Sequence, residues 1–210
     1  MRMAGIPAGR RMVIARGAND QLIVWSPLPG TPGRVSAIRA LGEPAAFVIQ
    51  SRFHDRFIPD YFRQFPAAQF LAPAGSIGDH PDWPLKELHS HNDLLAGFAF
   101  QEVAGMPKVR EHVFLHPATK SLIIADLLFN LPVRGSWLER LLFAMADIGG
   151  KPRPSRLWRS MIKDRAAFTS SIRRIQSWDF DRILPGHGEC VHANGKQVFA
   201  EAFDRWLHKV

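Results

Sequence analysis

Two short stretches of this sequence end in side chains that suit a metal ion. Leu122-Ile123-Ile124-Ala125-Asp126 runs from apolar residues into a carboxylate, and Ile183-Leu184-Pro185-Gly186-His187-Gly188 runs into an imidazole held between glycines. Buried strands of α/β proteins expose their functional loops at such ends. A carboxylate and an imidazole delivered to one sheet edge are ligand types for zinc or iron. Each motif also has a plain structural role open to it, the aspartate capping a turn and the histidine donating to a carbonyl. Other groups fit structural roles better. His89-Ser90-His91-Asn92-Asp93 lies in a polar loop, with Asp79 and His80 near enough in sequence for an adventitious ion. His112 and His116 stand four apart on one predicted strand, and His192 lies in a later loop. Cys190 has no assignable base or cation to activate it. No Gly-x-Ser-x-Gly elbow supports a serine nucleophile. Gly149-Gly150-Lys151 lacks the spacing of a phosphate loop, so no nucleotide cofactor is expected.

The elements that must position these groups are set by the apolar patterning. Strands are predicted over 11–15, 21–25, 46–50 and 69–72, with a helix over 35–41 and a helical turn over 60–64. Residues 73–95, rich in Pro, Gly, Asp and His, read as a surface loop. Three further strands are expected over 97–103, 111–115 and 121–126. Helical spacing then covers 136–147 and 155–178, before a strand over 182–184 and a closing helix over 195–208. This order predicts a layered α/β domain.

Composition bounds the partners. The 210 residues are 46% hydrophobic and 22% charged, enough to fill one core, and a single domain over 1–210 is expected. One cysteine excludes an internal disulfide and any thiolate-rich site, which points to an intracellular, cytoplasmic setting. No run approaches the roughly 20 apolar residues of a membrane span. The formal charge is +8, and residues 134–174 carry a net +7 of it, leaving +1 elsewhere. The basic helical segment at about 134–178 therefore dominates the charge. Its simplest role is the solvated face of two helices, and its alternatives are an anion-binding rim or a polyanion contact. Because the excess is local, a small anionic ligand is expected rather than nucleic acid.

Taken together and in this order, the motifs resemble the metallo-β-lactamase superfamily. Asp126, within Ala125-Asp126-Leu127-Leu128-Phe129-Asn130, resembles the metal-bridging aspartate of that superfamily, and His187 its last histidine ligand. Phe47-Val48-Ile49-Gln50-Ser51 is similar to the strand entering the first metal motif, and Phe65-Pro66-Ala67-Ala68 to the segment beyond that motif. The Ser177-Trp178-Asp179-Phe180-Asp181-Arg182 approach to the last histidine is similar to an uncharacterised branch of the superfamily. The resemblance implies a four-layer αββα sandwich over nearly the whole chain. It also implies a first motif, His-x-His-x-Asp-His, which falls on Arg52-Phe53-His54-Asp55-Arg56-Phe57. Only His54 survives there as a ligand at its position, and Met106-Pro107 occupy the place of the middle histidine. The site implied is degenerate, with His54, Asp126 and His187 left. The His89–Asp93 pattern ends 33 residues before Asp126, too few for the intervening strands, whereas His54 stands 72 before it.

Two functions are open to such a chain. One is at most a mono-metal hydrolase, with a zinc or iron ion on His54, Asp126 and His187 and with Asp55 or Asp60 as proton acceptor; no tightly bound ion is required by the ligands left. The other is a non-catalytic module for a small anion, held by Arg52, Arg56 and the 134–174 basic face. Two guanidinium groups at former ligand positions would repel a divalent cation and attract phosphate or carboxylate.

Overall fold

Alternating apolar side chains build two facing sheets in the computed structural model, which describes residues 2–3, 6–7, 9–89, 92–133 and 137–207. A short hairpin, β1 (Arg2–Met3) with β2 (Ile6–Pro7), precedes the first sheet. That sheet runs β3 (Val13–Arg16), β4 (Leu22–Trp25), β5 (Pro44–Val48), β6 (Gln69–Ala72) and β7 (Leu85–Glu87) in spatial order, all parallel beyond the antiparallel β3–β4 pair. The second sheet takes the order β11 (Arg182–Pro185), β10 (Ser121–Ile124), β9 (His112–His116), β8 (Ala99–Glu102). Only its β10–β11 pair is parallel.

The period-2 alternation of a strand assigns each residue to a face. Ile23, Trp25, Ala46, Val48 and Leu71 meet Phe114 and Ile123 in the core between the sheets. Val24, Phe47, Phe70 and Ala72 turn outward beneath α1 (Pro32–Leu41) and α2 (Pro59–Phe62). On the opposite side Val113, Leu115, Leu122 and Ile124 pack under α5 (Arg156–Ser160), α6 (Arg165–Ser177), α7 (Gly195–Ala202) and α8 (Asp204–Leu207). The result is the expected αββα layering. Helix α4 (Trp137–Ala146) sits over a small separate core of Phe129, Leu131, Phe143 and Ile148.

The structure corrects the sequence reading in three places, one of them the closing helix over 195–208, which among the described residues is α7 and α8 on either side of Phe203. Residues 73–95 are not all loop: they hold α3 (Ala74–Asp79), β7 at the sheet edge and a 3-10 turn at Asp93–Leu95. Gly75 and Gly78 hide α3 from propensity, and packing of Ile77 against the outer core of the first sheet secures it. The spacing over 155–178 is two helices rather than one. The N–H groups of Lys163 and Asp164 donate to Gly105 O (2.8 and 3.2 Å), and the Asp164 carboxylate caps α6 by accepting from Ala167 N–H at 3.0 Å. Of the basic segment, residues 134–136 lie outside the described residues, as do Ser90 and His91 of the His89–Asp93 loop.

Candidate metal centre

The parallel register of β10 and β11 pairs Ile124 with Pro185. Asp126 and His187 each stand two residues later, so both emerge at the same carboxyl edge. His54 arrives from the other sheet, midway along the loop between β5 and α2. All three side chains are buried, and they offer ligand atoms lying within 4.8 Å of one another. Among the described residues this is the one such cluster. His54 Nε2 lies 3.4 Å from Asp126 Oδ2, and His187 Nε2 lies 3.2 Å from Asp126 Oδ1.

The outer hydrogen bonds fix how these rings face. His187 Nδ1 is 2.6 Å from Gly9 O, a carbonyl that only accepts, so Nδ1 carries the proton. His54 Nδ1 is 2.8 Å from Ser26 Oγ. The Ser26 hydroxyl donates in turn to Gln50 Oε1 at 2.9 Å, which leaves Ser26 Oγ to accept from His54. Gln50 Nε2 faces the carbonyls of His112 and Ile123, each at 3.4 Å, and this orients its amide. Ser26 holds φ at 49°, in the left-handed region where a β-carbon costs about 1–2 kcal/mol. Strain of this kind concentrates at functional sites.

Both rings therefore turn Nε2 toward the carboxylate. Neutral imidazoles so arranged aim lone pairs at an anion, an arrangement relieved by a proton or by a metal cation between them. Asp126 is that anion: burial opposes its ionisation, but the adjacent His54 and His187 rings outweigh it and hold its pKa well below the usual carboxylate range. His54 Nε2 is buried without a hydrogen-bond partner. Tetrahedral zinc with bonds of about 2.0–2.1 Å spaces neighbouring ligand atoms about 3.3–3.4 Å apart. The donor types, ligand atoms within 4.8 Å of one another and the orphaned nitrogen suit one small divalent cation.

Around this centre stand residues that the sequence motifs do not reveal. The buried Glu111 carboxylate accepts from the N–H groups of Ala125, Asp126 and Leu127 at 2.8–3.2 Å, holding the strand end that presents Asp126. Burial first, and then the charge of Asp126, push the Glu111 carboxyl up to about 8, with the three N–H bonds pulling the other way. Residues 9–11 cross the site as a strap. Arg11 donates to the carbonyls of Pro185 and Gly188 (2.5 and 2.6 Å), and its N–H donates to Gly186 O. Gly186 permits close packing, since a β-carbon there would meet Ala125 O at 2.7 Å and His54 Cε1 at 2.9 Å. Gly188 supplies φ +88° in contact with Asn130.

The charged residues of the first-motif loop separate in space. Arg52 forms a bidentate pair with Asp79 (2.7 and 2.6 Å) and is committed there. Asp60 accepts from Gly30 N–H at 2.7 Å, at the start of α2. Asp55 Oδ2 lies 3.0 Å from His80 Nε2, whose ring stacks on Trp83 at 3.7 Å. Asp79 and His80 are thus occupied by loop partners. Arg56 is exposed over the Phe57 ring, and Arg10 lies over the same ring. Arg10 also donates to Phe53 O at 2.5 Å, while its Nε is buried without a partner. Burial lowers the Arg10 pKa, opposed by the charges of Asp126 and Asp55, so its guanidinium senses both carboxylates. His112 is buried and hydrogen-bonded near Arg110 O, His116 contacts Thr119, and His192 is exposed. None of these joins the cluster, nor does the part-buried Cys190.

No family model matches the chain. No curated protein matches it by sequence. Solved structures do match. A metallo-β-lactamase from Pontibacter korlensis superposes with a TM-score of 0.64 at 11% identity, over 100% of this chain and 92% of that one. The rubredoxin oxygen:oxidoreductase of Desulfovibrio gigas gives 0.63 at 14% identity, over 96% of this chain and 54% of that one. The metallo-β-lactamase FIM-1 from Pseudomonas aeruginosa, in its mono-zinc form, gives 0.58 at 12% identity, over 93% and 91%. The chain has the αββα fold of the metallo-β-lactamase superfamily. No helix among the described residues is long and apolar enough to cross a membrane.

Proposed function

We propose that this protein is a mono-metal hydrolase acting on a small anionic substrate, with one zinc or iron ion held by His54, Asp126 and His187. The observation that carries the reading is the buried His54 Nε2, without a hydrogen-bond partner and 3.4 Å from a carboxylate oxygen. A solved protein of this fold in a mono-zinc form supports one ion as a workable occupancy. A divalent ion there supplies a Lewis acid, polarising a substrate oxygen or acidifying water.

The chain's own residues do the rest. Ser26 and Gln50 hold the His54 ring, and the Gly9 carbonyl holds His187, so both imidazoles keep Nε2 as the inward donor atom. Arg10 and Arg56 flank Phe57 beside the cluster and bind the negative group of the substrate. Asp55 accepts a proton, its carboxylate oriented by His80. Arg52 and Asp60 act structurally, through Asp79 and the Gly30 N–H. The binding-module alternative loses Arg52 to its ion pair, and the anion role passes to Arg10 with Arg56.

Elemental analysis of protein purified from medium containing trace zinc and iron tests the metal. About one equivalent in the wild type, falling below a tenth in His187→Ala of matching circular dichroism, is expected. Less than a tenth of an equivalent in both would sink the proposal. Activity on carboxylated and phosphorylated esters should then track the metal content and fall in Arg10→Gln through KM.

A further inference from the structure

A second cluster of cations lies on the helical layer, away from the metal cluster and sharing none of its residues. Arg159 at the end of α5, Arg165 and Thr169 on α6, and Arg205 and Trp206 on α8 surround a cleft of about 500 Å³ with Ile162. That volume falls in the range of small-ligand sites, roughly 300–1,000 Å³. Three guanidinium groups thus face one space. Arg159 pairs with Asp147 at 2.5 Å and donates to Pro154 O, which fixes it at the rim. Among the described residues Arg165 and Arg205 enter no ion pair. Arg205 instead lies over the Trp206 ring at 4.0 Å, and Trp206 is itself braced edge-on by the buried Phe168.

Guanidinium groups that crowd a cleft without a carboxylate for each repel one another. Burial and the charge of Arg159 lower the Arg205 pKa, Arg165 adds to this, and Asp147 offsets part of it. A bound dianion relieves that repulsion, and planar forks with five donors each match phosphate oxygens bidentately. Thr169 adds a hydroxyl donor, and the apolar faces of Ile162 and Trp206 limit hydration of the bound group. The Trp206 face is covered by Arg205, so the cleft has no free aromatic platform for a base. The chemistry is that of a phosphate group, without a nucleobase.

We infer that the cleft between Arg159, Arg165 and Arg205 binds the phosphate or diphosphate group of a small phosphorylated molecule. No residue is shared with the metal cluster, so the two sites stand or fall separately.

The test is isothermal titration of metal-depleted protein with inorganic pyrophosphate, with co-sedimentation on phosphatidylcholine vesicles containing phosphatidic acid as a second arm. Two double variants are compared: Arg165→Gln with Arg205→Gln inside the cleft, and Arg173→Gln with Arg174→Gln on the exposed side of α6. Both remove two exposed charges. The expected result is saturable pyrophosphate binding, weakened at least tenfold by the first pair and less than twofold by the second. The same pattern on vesicles alone would assign the phosphate to a lipid headgroup. Equal losses in the two double variants, or no saturable binding of either probe, would overturn the inference.

Discussion

Ser26→Ala removes the acceptor that holds His54, and its cost can be worked from the hydrogen bonds it breaks. Ser26 and His54 are 5% and 2% exposed, so water cannot replace the lost oxygen. His54 Nδ1–H and Gln50 Oε1 each lose a partner, at 2.8 and 2.9 Å. A buried polar group left unpaired costs about 1–3 kcal/mol, so with two such groups the metal-free variant should lose about 2–6 kcal/mol of stability. The larger effect concerns the metal. Loss of an outer partner of a metal-bound histidine costs 10–100-fold in affinity. At a free metal concentration of 100 times the wild-type Kd, binding stabilises the native state by about 2.7 kcal/mol; a 100-fold weaker variant gains only about 0.4 kcal/mol. Denaturant titrations of both proteins, with and without zinc, read the two effects separately. Equal zinc-induced stabilisation of wild type and Ser26→Ala would refute the assignment of Ser26 as the group that orients a metal ligand.

Three further outcomes rest on the same contacts. Gly186→Ala should abolish metal binding and lower stability by at least about 1 kcal/mol, because its β-carbon would meet Ala125 O at 2.7 Å and His54 Cε1 at 2.9 Å; metal titration and a thermal melt measure both. Glu111→Ala leaves the N–H groups of residues 125–127 without their acceptor and should cost about 3 kcal/mol or more, while Glu111→Gln keeps over half of that stability in a denaturant titration. Asp147→Asn tests a pH dependence. Burial opposes Asp147 ionisation, yet the hydrogen bonds from Arg159 and Arg153 outweigh it and lower its pKa. A depressed carboxylate pKa gives stability present above the unfolded value of about 3.9 and lost as pH falls through the folded one. The wild type should exceed Asp147→Asn by on the order of 1 kcal/mol at pH 7, and the difference should vanish in acid. A difference that does not shrink as the pH falls below the unfolded value would contradict the ion-pair account.

What could be read from the sequence divides along the range of the interactions. Asp126 and His187 were legible because each ends a buried strand, and the parallel register of Ile124 with Pro185 brings both to one edge. The layered α/β order was legible from the apolar runs at 21–25, 46–50 and 121–126, and the four-layer sandwich from the family resemblance carried by Asp126 and His187. Ser26, Gln50, Glu111 and Gly9 were not, since their roles depend on contacts between the sheets and across 178 positions in the case of Gly9 and His187. Arg10 had the look of an N-terminal basic residue and became part of the site only when the strap crossed it. Arg52 shows the reverse: its position in the motif suggested an anion ligand, and Asp79, from a helix masked by glycines, claims it. The break between α5 and α6 depends on Gly105, a distant backbone carbonyl that no local spacing encodes.

The central claim is that His54, Asp126 and His187 together hold one metal ion. Isothermal titration of zinc into metal-depleted protein tests it most directly, with His54→Ala and His187→Ala as controls of checked fold. A single saturable site of about one equivalent is expected, weakened at least 100-fold in either variant. Absence of saturable binding, a second equivalent of equal affinity, or wild-type binding in both variants would contradict it.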